Sequence, residues 1–223
     1  MTIVWRMCGR FYVPPTAIDL ALALLPPDQQ EAARQAIKEW IEYMNAPRGH
    51  FDVRPTNQFP VITSTGLVPM RWGFKTDKSN AVFNARSESL RFPIWREPLV
   101  LRRAVVAVGG FFEWTGTKGS KQPHAIHRAD GDPMLFGALW TPDDEVGPSF
   151  SIITTPASTW MQPLHDRMPL ILERDQVATW LDLTRKPPEI KALIEPYAGA
   201  LQEFACASPS KDTPPKADKG SLF

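Results

Sequence analysis

The N-terminal part of the chain contains two stretches in which apolar residues recur at helical spacing. Residues 16–25, TAIDLALALL, predict a helix that stops at Pro26 and Pro27. Residues 27–44 predict a second helix, because Pro27 suits a first helical turn and an apolar stripe follows. The stripe consists of Ile37, Trp40, Ile41 and Met44.

After a predicted loop at 45–58, the pattern changes to short apolar runs separated by proline and glycine, which is typical of β-strands. We expect strands at 59–63, 67–74, 81–87, 102–114, 123–129, 133–140 and 150–155, and helical patches at 173–183 and 187–197. These elements predict an α+β protein, a single domain built on a mostly antiparallel β-sheet or barrel with peripheral helices. Residues 207–223 are polar and rich in proline and lysine, so we expect a disordered tail.

The composition narrows the class of protein. The 223 residues suit one domain, and 43% hydrophobic residues with eight Trp suit a packed core. The net charge of +1 gives no general basic excess of the kind that nucleic-acid binders often have. Cys8 and Cys206 are too few for a disulfide framework, which favours a reducing cytoplasm. No apolar run approaches the ~20 residues of a membrane span, so we expect no membrane association.

Two segments on predicted strands combine polar residues with apolar surroundings. Glu113 lies between Phe112 and Trp114, and an acid among aromatic side chains tends to have a raised pKa that suits general acid–base work. The alternative is that Glu113 lies on an edge strand with its carboxylate facing water. This segment alone slightly favours that alternative. His124 and His127 fall on opposite faces of a strand, which suits a solvent-facing polar side better than a metal site. We therefore expect neither a metal nor another cofactor.

Four short segments in a fixed order lead to a family resemblance. They are MCGRF (7–11), FNARSE (83–88), GGFFEW (109–114) and LHDRMPLIL (164–172). In this order they resemble the signature blocks of the SOS-response-associated peptidase (SRAP) family, and FDVRPT (51–56) and MRWG (70–73) resemble further blocks. The resemblance runs from Met7 to Leu183, and we expect the SRAP-like domain at 8–206.

The resemblance implies a covalent reaction with DNA. Family members recognise abasic sites in single-stranded DNA and attach to them through a cysteine that follows the initiator methionine, a position matched by Cys8. A terminal cysteine has an amine and a thiol on adjacent atoms, so it can close a thiazolidine ring on the sugar aldehyde. Residues 1–7 are then either a leader removed by autoproteolysis or a start assigned too early, with translation from Met7 the simpler explanation.

The resemblance also assigns roles to individual residues. Asn84 would orient the Cys8 amine, Glu113 would act as general acid and base, and His165 would protonate or stabilise the opening sugar and the imine. Contacts with DNA are expected from Arg10, Arg86, Arg167, Thr154 and Trp72. The expected partner is single-stranded DNA containing abasic sites, bound by a monomer that joins the nucleoid when on DNA.

Two other functions stay open on the sequence. One is a self-processing cysteine peptidase with no role on DNA. The other is a non-catalytic single-stranded DNA binder that stacks bases on Trp72, Phe74 and Trp114. Two segments also depart from the family pattern: KTDKSN after Phe74 is short, and Asp52 stands where members often have Asn.

Overall fold

The structure is a computed structural model that describes residues 9–44, 51–117 and 119–206. Several predictions concern residues outside these ranges. They are the leader at 1–7, the reactive Cys8, the first part of the predicted loop at 45–50, and the tail at 207–223.

Short strands are the commonest regular structure in the described chain. In chain order they are β1 (Phe11–Val13), β2 (Phe51–Val53), β3 (Gln58–Thr63), β4 (Gly66–Trp72), β5 (Phe74–Thr76), β6 (Ser79–Val82), β7 (Asn84–Arg86), β8 (Arg103–Val108), β9 (Gly110–Thr117), β10 (Ser120–Arg128), β11 (Met134–Thr141), β12 (Ser149–Pro156), β13 (Arg167–Pro169), β14 (Ile171–Leu172) and β15 (Leu201–Ala205). The predicted strands are all present in outline. The strands that the sequence did not predict are pieces of two to five residues, namely β1, β2, β5, β13, β14 and β15.

The described residues also form five α-helices. They are α1 (Pro15–Ala23), α2 (Pro27–Met44), α3 (Pro93–Leu101), α4 (Gln176–Leu181) and α5 (Pro187–Lys191). The helix α3 was not predicted, because an internal proline in a nine-residue segment argues against a helix from sequence alone. Within the described residues, no helix combines the length and the apolar character needed to cross a bilayer.

The strands form two large sheets and a small hairpin. The first sheet has the order β15-β10-β9-β1-β2, the second β13-β12-β4-β3-β8-β11-β14 with β7 beside β12, and β5 pairs with β6. Among the described strands every pairing is antiparallel except those of β12 with β4 and with β7. The prediction of an α+β fold on a mostly antiparallel sheet is therefore confirmed.

The predicted strand 102–114 is in fact two strands in different sheets. The strand β8 belongs to the second sheet and β9 to the first, with the change at Gly109. A Cβ atom at Gly109 would come within 2.5 Å of side-chain atoms of Tyr12 and Pro14, so only glycine fits this close approach. The crossover brings Glu113 into the first sheet, opposite the strands that carry the other candidate residues.

The inner faces of the two sheets pack on one another. The rings of Phe111 on β9 and Phe136 on β11 lie 6.0 Å apart, and those of Phe11 and Phe59 lie 5.2 Å apart. The helix α2 contributes Trp40, which is buried in the same core and donates a hydrogen bond to the Gln58 carbonyl. Aromatic side chains thus fill the space between the two sheets.

Candidate active site

Asn84 and Arg86 lie on β7, which pairs in parallel with β12. Asn84 lies opposite Ile152, and Arg86 lies opposite Thr154. The short strand alternates a half-buried Asn84, a buried Ala85 and an exposed Arg86. One end of β12 is therefore flanked by an amide and a solvent-facing guanidinium.

Arg167 begins β13 and joins the same end of β12 from the other side. Its Nη2 donates to the Thr154 carbonyl at 2.6 Å and to Thr154 Oγ1 at 3.2 Å, and its Nη1 contacts Glu88 Oε1 at 2.8 Å. Backbone donors and Arg167 outweigh the opposing effect of burial and hold the pKa of Glu88 below its ordinary value. Because Thr154 is only 1% exposed and bonded to Arg167, a direct contact with DNA would require this pair to move.

His165 lies in the turn before β13, close to Arg167 and Arg86. Its Nδ1 accepts a hydrogen bond from the Arg167 backbone N–H at 3.0 Å and also lies 2.9 Å from Asp166 Oδ1. The two contacts require opposite protonation states of Nδ1. Burial lowers the pKa of His165, and the Asp166 side chain is 84% exposed, so we assign the neutral ring with its proton on Nε2. His165 is thus a neutral donor at the site.

The free energy of unfolding should depend on pH in a way that shows whether His165 is neutral in the folded protein. Because its pKa is lowered, the folded state binds fewer protons than the unfolded state. The resulting stabilisation is fully present above the unfolded value of about 6.5 and is lost as the pH falls through the folded pKa. Denaturant unfolding between pH 7 and 5 should show a steeper loss of stability for the native protein than for His165→Asn. Parallel profiles would show that His165 is not held neutral.

Glu113 lies on β9, which pairs with β1 on one side and β10 on the other. It shares a face with the buried Phe111, and it is itself only 4% exposed. The alternative of an edge-strand carboxylate facing water is therefore wrong. A carboxylate at the margin of an apolar core suits proton transfer better than solvation.

Gly9, the residue after Cys8, lies between the segment that carries Glu113 and the segment that carries Asn84. The Phe112 N–H donates to the Arg10 carbonyl, so the pairing of Phe11 with Phe111 continues beyond β1 and places Gly9 opposite Glu113. On its other side, a Cβ atom at Gly9 would lie 3.9 Å from the ring of Phe83, the residue before Asn84. Position 9 therefore brings together the two segments that carry the predicted acid–base and amide groups.

Arg10 belongs to the opposite face of the first sheet, because side chains alternate along a strand. It is buried, its Nε lies 2.6 Å from Asp52 Oδ1, and its Nη2 is buried without a hydrogen-bond partner. Arg54 contacts the other Asp52 oxygen at 2.9 Å. The acid at position 52 thus holds two arginines, and Arg10 does not join the cluster around His165.

Trp72 is a correction to the sequence prediction. It is 0% exposed, stacks on Phe150 at 6.1 Å, and donates its indole N–H to the Phe83 carbonyl at 3.0 Å. It cannot stack on a base, and the buried Phe74 cannot either, whereas Trp114 is half-buried. Trp72 and Phe74 are buried in the core because the packing of the sheets requires large apolar side chains.

Trp72→Ala is expected to destabilise the protein by about 3–5 kcal/mol, the usual cost of emptying a buried aromatic site. The variant would lose the stacking on Phe150 and one of the two hydrogen bonds that the Phe83 carbonyl accepts, keeping the one from the Ile152 N–H. Denaturant unfolding measures this loss. A change below about 1 kcal/mol, the size expected at a surface site, would contradict the buried position.

Three features of this region were missed by sequence reasoning. They are the pairing of Glu88 with Arg167, the pairing of Asp52 with Arg10, and a hydrogen-bonded cluster around His124. Only the segment FNARSE gave a hint, since it contains Glu88. In the parts of the chain that the structure describes, no group of three or more His, Cys, Asp or Glu is arranged to hold a metal.

Comparisons with known proteins agree with the fold and the motifs. The sequence profile described as "SOS response associated peptidase (SRAP)" matches residues 7–211. "Abasic site processing protein YedK" of Escherichia coli is 31% identical over 189 residues, which are 78% of this chain and 79% of that protein. "Abasic site processing protein HMCES" of Gallus gallus is 29% identical over 238 residues, 85% of this chain and 70% of that protein.

A solved structure supports the same assignment at the level of the fold. The crystal structure of a protein from Bacteroides thetaiotaomicron superposes with a TM-score of 0.75 at 21% identity, covering 93% of this chain and 96% of that one. With a profile match over most of its length and a relative at 31% identity, the chain belongs to the SOS response associated peptidase (SRAP) family.

Proposed function

We propose that this protein processes abasic sites in single-stranded DNA by forming a covalent thiazolidine bond through Cys8 during the DNA-damage (SOS) response. The names of the curated relatives support the substrate. The observation that carries the proposal is the position of Gly9, the residue after Cys8, which pairs opposite the buried Glu113 and lies close to the ring of Phe83, the residue before Asn84. Removal of residues 1–7, by autoproteolysis or by a start at Met7, is part of the proposal.

The proposed reaction needs a free terminal cysteine. An abasic sugar opens to an aldehyde, the α-amine adds to its carbon, and loss of water gives a Schiff base. The thiol then adds to the same carbon and closes a five-membered ring, so the product differs from the reactants by one water. Amine and thiol have ordinary pKa values of about 8 and 8.5, which leaves a nucleophilic fraction of both near neutral pH.

Three described side chains are the candidates for the proton transfers of this reaction. Glu113 is a buried carboxyl on the same face as Gly9, and it would take the amine proton and return it to the departing hydroxyl. Asn84 on β7 would hold the amine by hydrogen bonding. His165, neutral with its proton on Nε2, would donate to the sugar oxygen as the ring opens.

The first experiment combines two readouts on one preparation. The intact mass gives the first residue, and incubation with single-stranded DNA that holds one abasic site tests for an adduct that survives denaturation. The proposal expects a chain beginning at Cys8 and a one-to-one adduct. A chain beginning at Cys8 without an adduct contradicts it and favours a self-processing peptidase with no role on DNA. A chain that retains residues 1–7 is re-expressed from Met7 before the same test.

Arg86 is the best-placed phosphate contact, because it is exposed and lies opposite Thr154 beside His165. Arg86→Ala is expected to weaken binding to single-stranded DNA and to reduce the slope of log affinity against log salt by about 0.7, the value for one phosphate. Fluorescence anisotropy over a salt series measures both. Arg185→Ala is the matched control, since that arginine is engaged by Asp182 and Glu189. An unchanged slope for Arg86→Ala would mean that Arg86 contacts no phosphate.

A further inference from the structure

Three polar side chains on adjacent strands form a continuous hydrogen-bonded chain. Thr115 Oγ1 on β9 lies 2.7 Å from His124 Nε2 on β10, and His124 Nδ1 lies 2.7 Å from Glu203 Oε2 on β15. Both ring nitrogens of His124 are therefore engaged. The arrangement of hydroxyl, imidazole and carboxylate is one that moves protons in many enzymes.

The resting state of this hydrogen-bonded chain takes Glu203 as a carboxylate and His124 as the neutral ring, which gives the hydrogen bonds one direction. An ionised carboxylate only accepts, so His124 Nδ1 must donate its proton to Glu203. In the neutral ring Nε2 is then an acceptor, and it receives the hydroxyl proton of Thr115. The cluster can thus take up a proton at the threonine end and release one at the glutamate end.

The threonine end of this chain borders Glu113. His124 is the direct cross-strand partner of Glu113, and directly opposed residues have Cβ atoms about 4.5–5.5 Å apart on the same face. Thr115 follows Glu113 by two positions on β9 and shares that face, about 7 Å further along the strand. A proton relay to Glu113 requires the Thr115 hydroxyl and the Glu113 carboxyl to exchange a proton directly or through one water.

The glutamate end of the chain reaches the surface. The side chain of Glu203 is 36% exposed and that of His124 is 13% exposed, while Glu113 is 4% exposed as a residue. The three groups therefore run from the buried acid to solvent. They are separate from the cluster around His165, which reaches the site from the second sheet.

A buried general acid and base needs a route for its protons. A terminal amine with a pKa of about 8 is mostly protonated near neutral pH, so closing the ring from the ammonium form releases one proton more than the departing water takes up, and Glu113 must pass that proton on. A carboxyl that is enclosed by protein and DNA exchanges protons with solvent slowly unless a chain of hydrogen bonds connects them.

We propose that Thr115, His124 and Glu203 form a proton relay that resets Glu113 during the reaction, an inference that rests on the proposed function. The Thr115 hydroxyl gives its proton to His124 Nε2 and takes the proton of Glu113. His124 passes its Nδ1 proton to Glu203, which releases it to water. One proton leaves Glu113 and one reaches solvent. The reverse sequence reprotonates Glu113 when the thiazolidine ring opens.

Thr115→Val tests the relay without changing the shape of the side chain. It should slow single-turnover adduct formation and its reversal about tenfold, less than the ~10²–10⁴ of a direct general acid–base group. The affinity for DNA with a non-reactive abasic analogue should stay unchanged, because the relay contacts no phosphate. His124→Ala should show the same loss, and added imidazole should restore much of the rate.

His127→Ala is the matched control, since His127 is on the same strand with its side chain on the other face. It should react at the native rate, with or without imidazole. If His124→Ala fails to fold, Thr115→Val decides alone. Native rates in Thr115→Val, or slow His124→Ala that imidazole does not rescue, would overturn the relay. A native protein that forms no adduct would overturn the proposed function and the relay with it.

Discussion

Cys8→Ala, in a chain that begins at residue 8, is expected to abolish the denaturation-stable adduct with abasic single-stranded DNA. The variant keeps a terminal amine and can form a Schiff base, but it has no thiol to close the ring, and a Schiff base hydrolyses. Denaturing electrophoresis measures the adduct directly. Binding to DNA with a non-reactive analogue should be unaffected, which separates loss of chemistry from loss of recognition.

Cys206→Ala is the matched control for this experiment. Cys206 is half-buried, its thiol donates to the Pro123 carbonyl at 3.7 Å, and burial raises the pKa of the thiol. A raised pKa lowers the thiolate fraction and with it the reactivity. Cys206→Ala should therefore form the adduct at the native rate. An adduct that survives Cys8→Ala and disappears in Cys206→Ala would refute the assignment of the nucleophile.

Glu113→Gln is expected to lower the single-turnover rate of adduct formation by about 10²-fold, within the usual range for a general acid–base group. The amide has nearly the same shape and hydrogen-bonding reach as the carboxyl, but it cannot exchange a proton. Loss of the Glu113 carboxyl should slow reversal of the adduct as well, because the same group transfers protons in both directions. Quenched time courses with DNA that holds one abasic site measure both rates.

The control for Glu113→Gln is Glu145→Gln, which alters an exposed carboxylate that pairs with Lys75. It should leave both rates unchanged. Unchanged rates in Glu113→Gln would remove Glu113 from the mechanism and with it the need for the proton relay. A variant that loses DNA binding rather than rate would make Glu113 a structural residue of the first sheet.

The arginines near the site fall into two groups, and we expect their substitution to have different effects on stability and on DNA binding. Arg10 and Arg167 are buried and engage Asp52 and Glu88, so their loss should lower stability by removing packing and hydrogen bonds inside the fold. Arg86 is exposed, and its loss should affect binding to an anion without much effect on stability. Stability and salt dependence should therefore be measured together for each arginine.

The sequence by itself determined the class of the fold and the family. Helical spacing placed α2, and runs rich in β-branched and aromatic residues placed most strands, because these signals depend on residues close together in the chain. The four motifs gave the same family that the profile match shows. Local patterns could not place the break at Gly109, since the apolar run around it is continuous and only contact with Tyr12 and Pro14 requires glycine there.

Only the tertiary structure decided which residues meet. Trp72 is in the core because two sheets close over it, and Glu113 is buried because β9 is paired on both sides. His124 looked like a solvent-facing residue, yet strand register brings Glu113 opposite it and places Thr115 and Glu203 within hydrogen-bonding distance. Register depends on partners far apart in sequence, and a shift of one residue would turn every side chain to the other face. The motifs of the sequence therefore indicate the chemistry of this chain, and the pairing of its strands determines how the side chains are arranged.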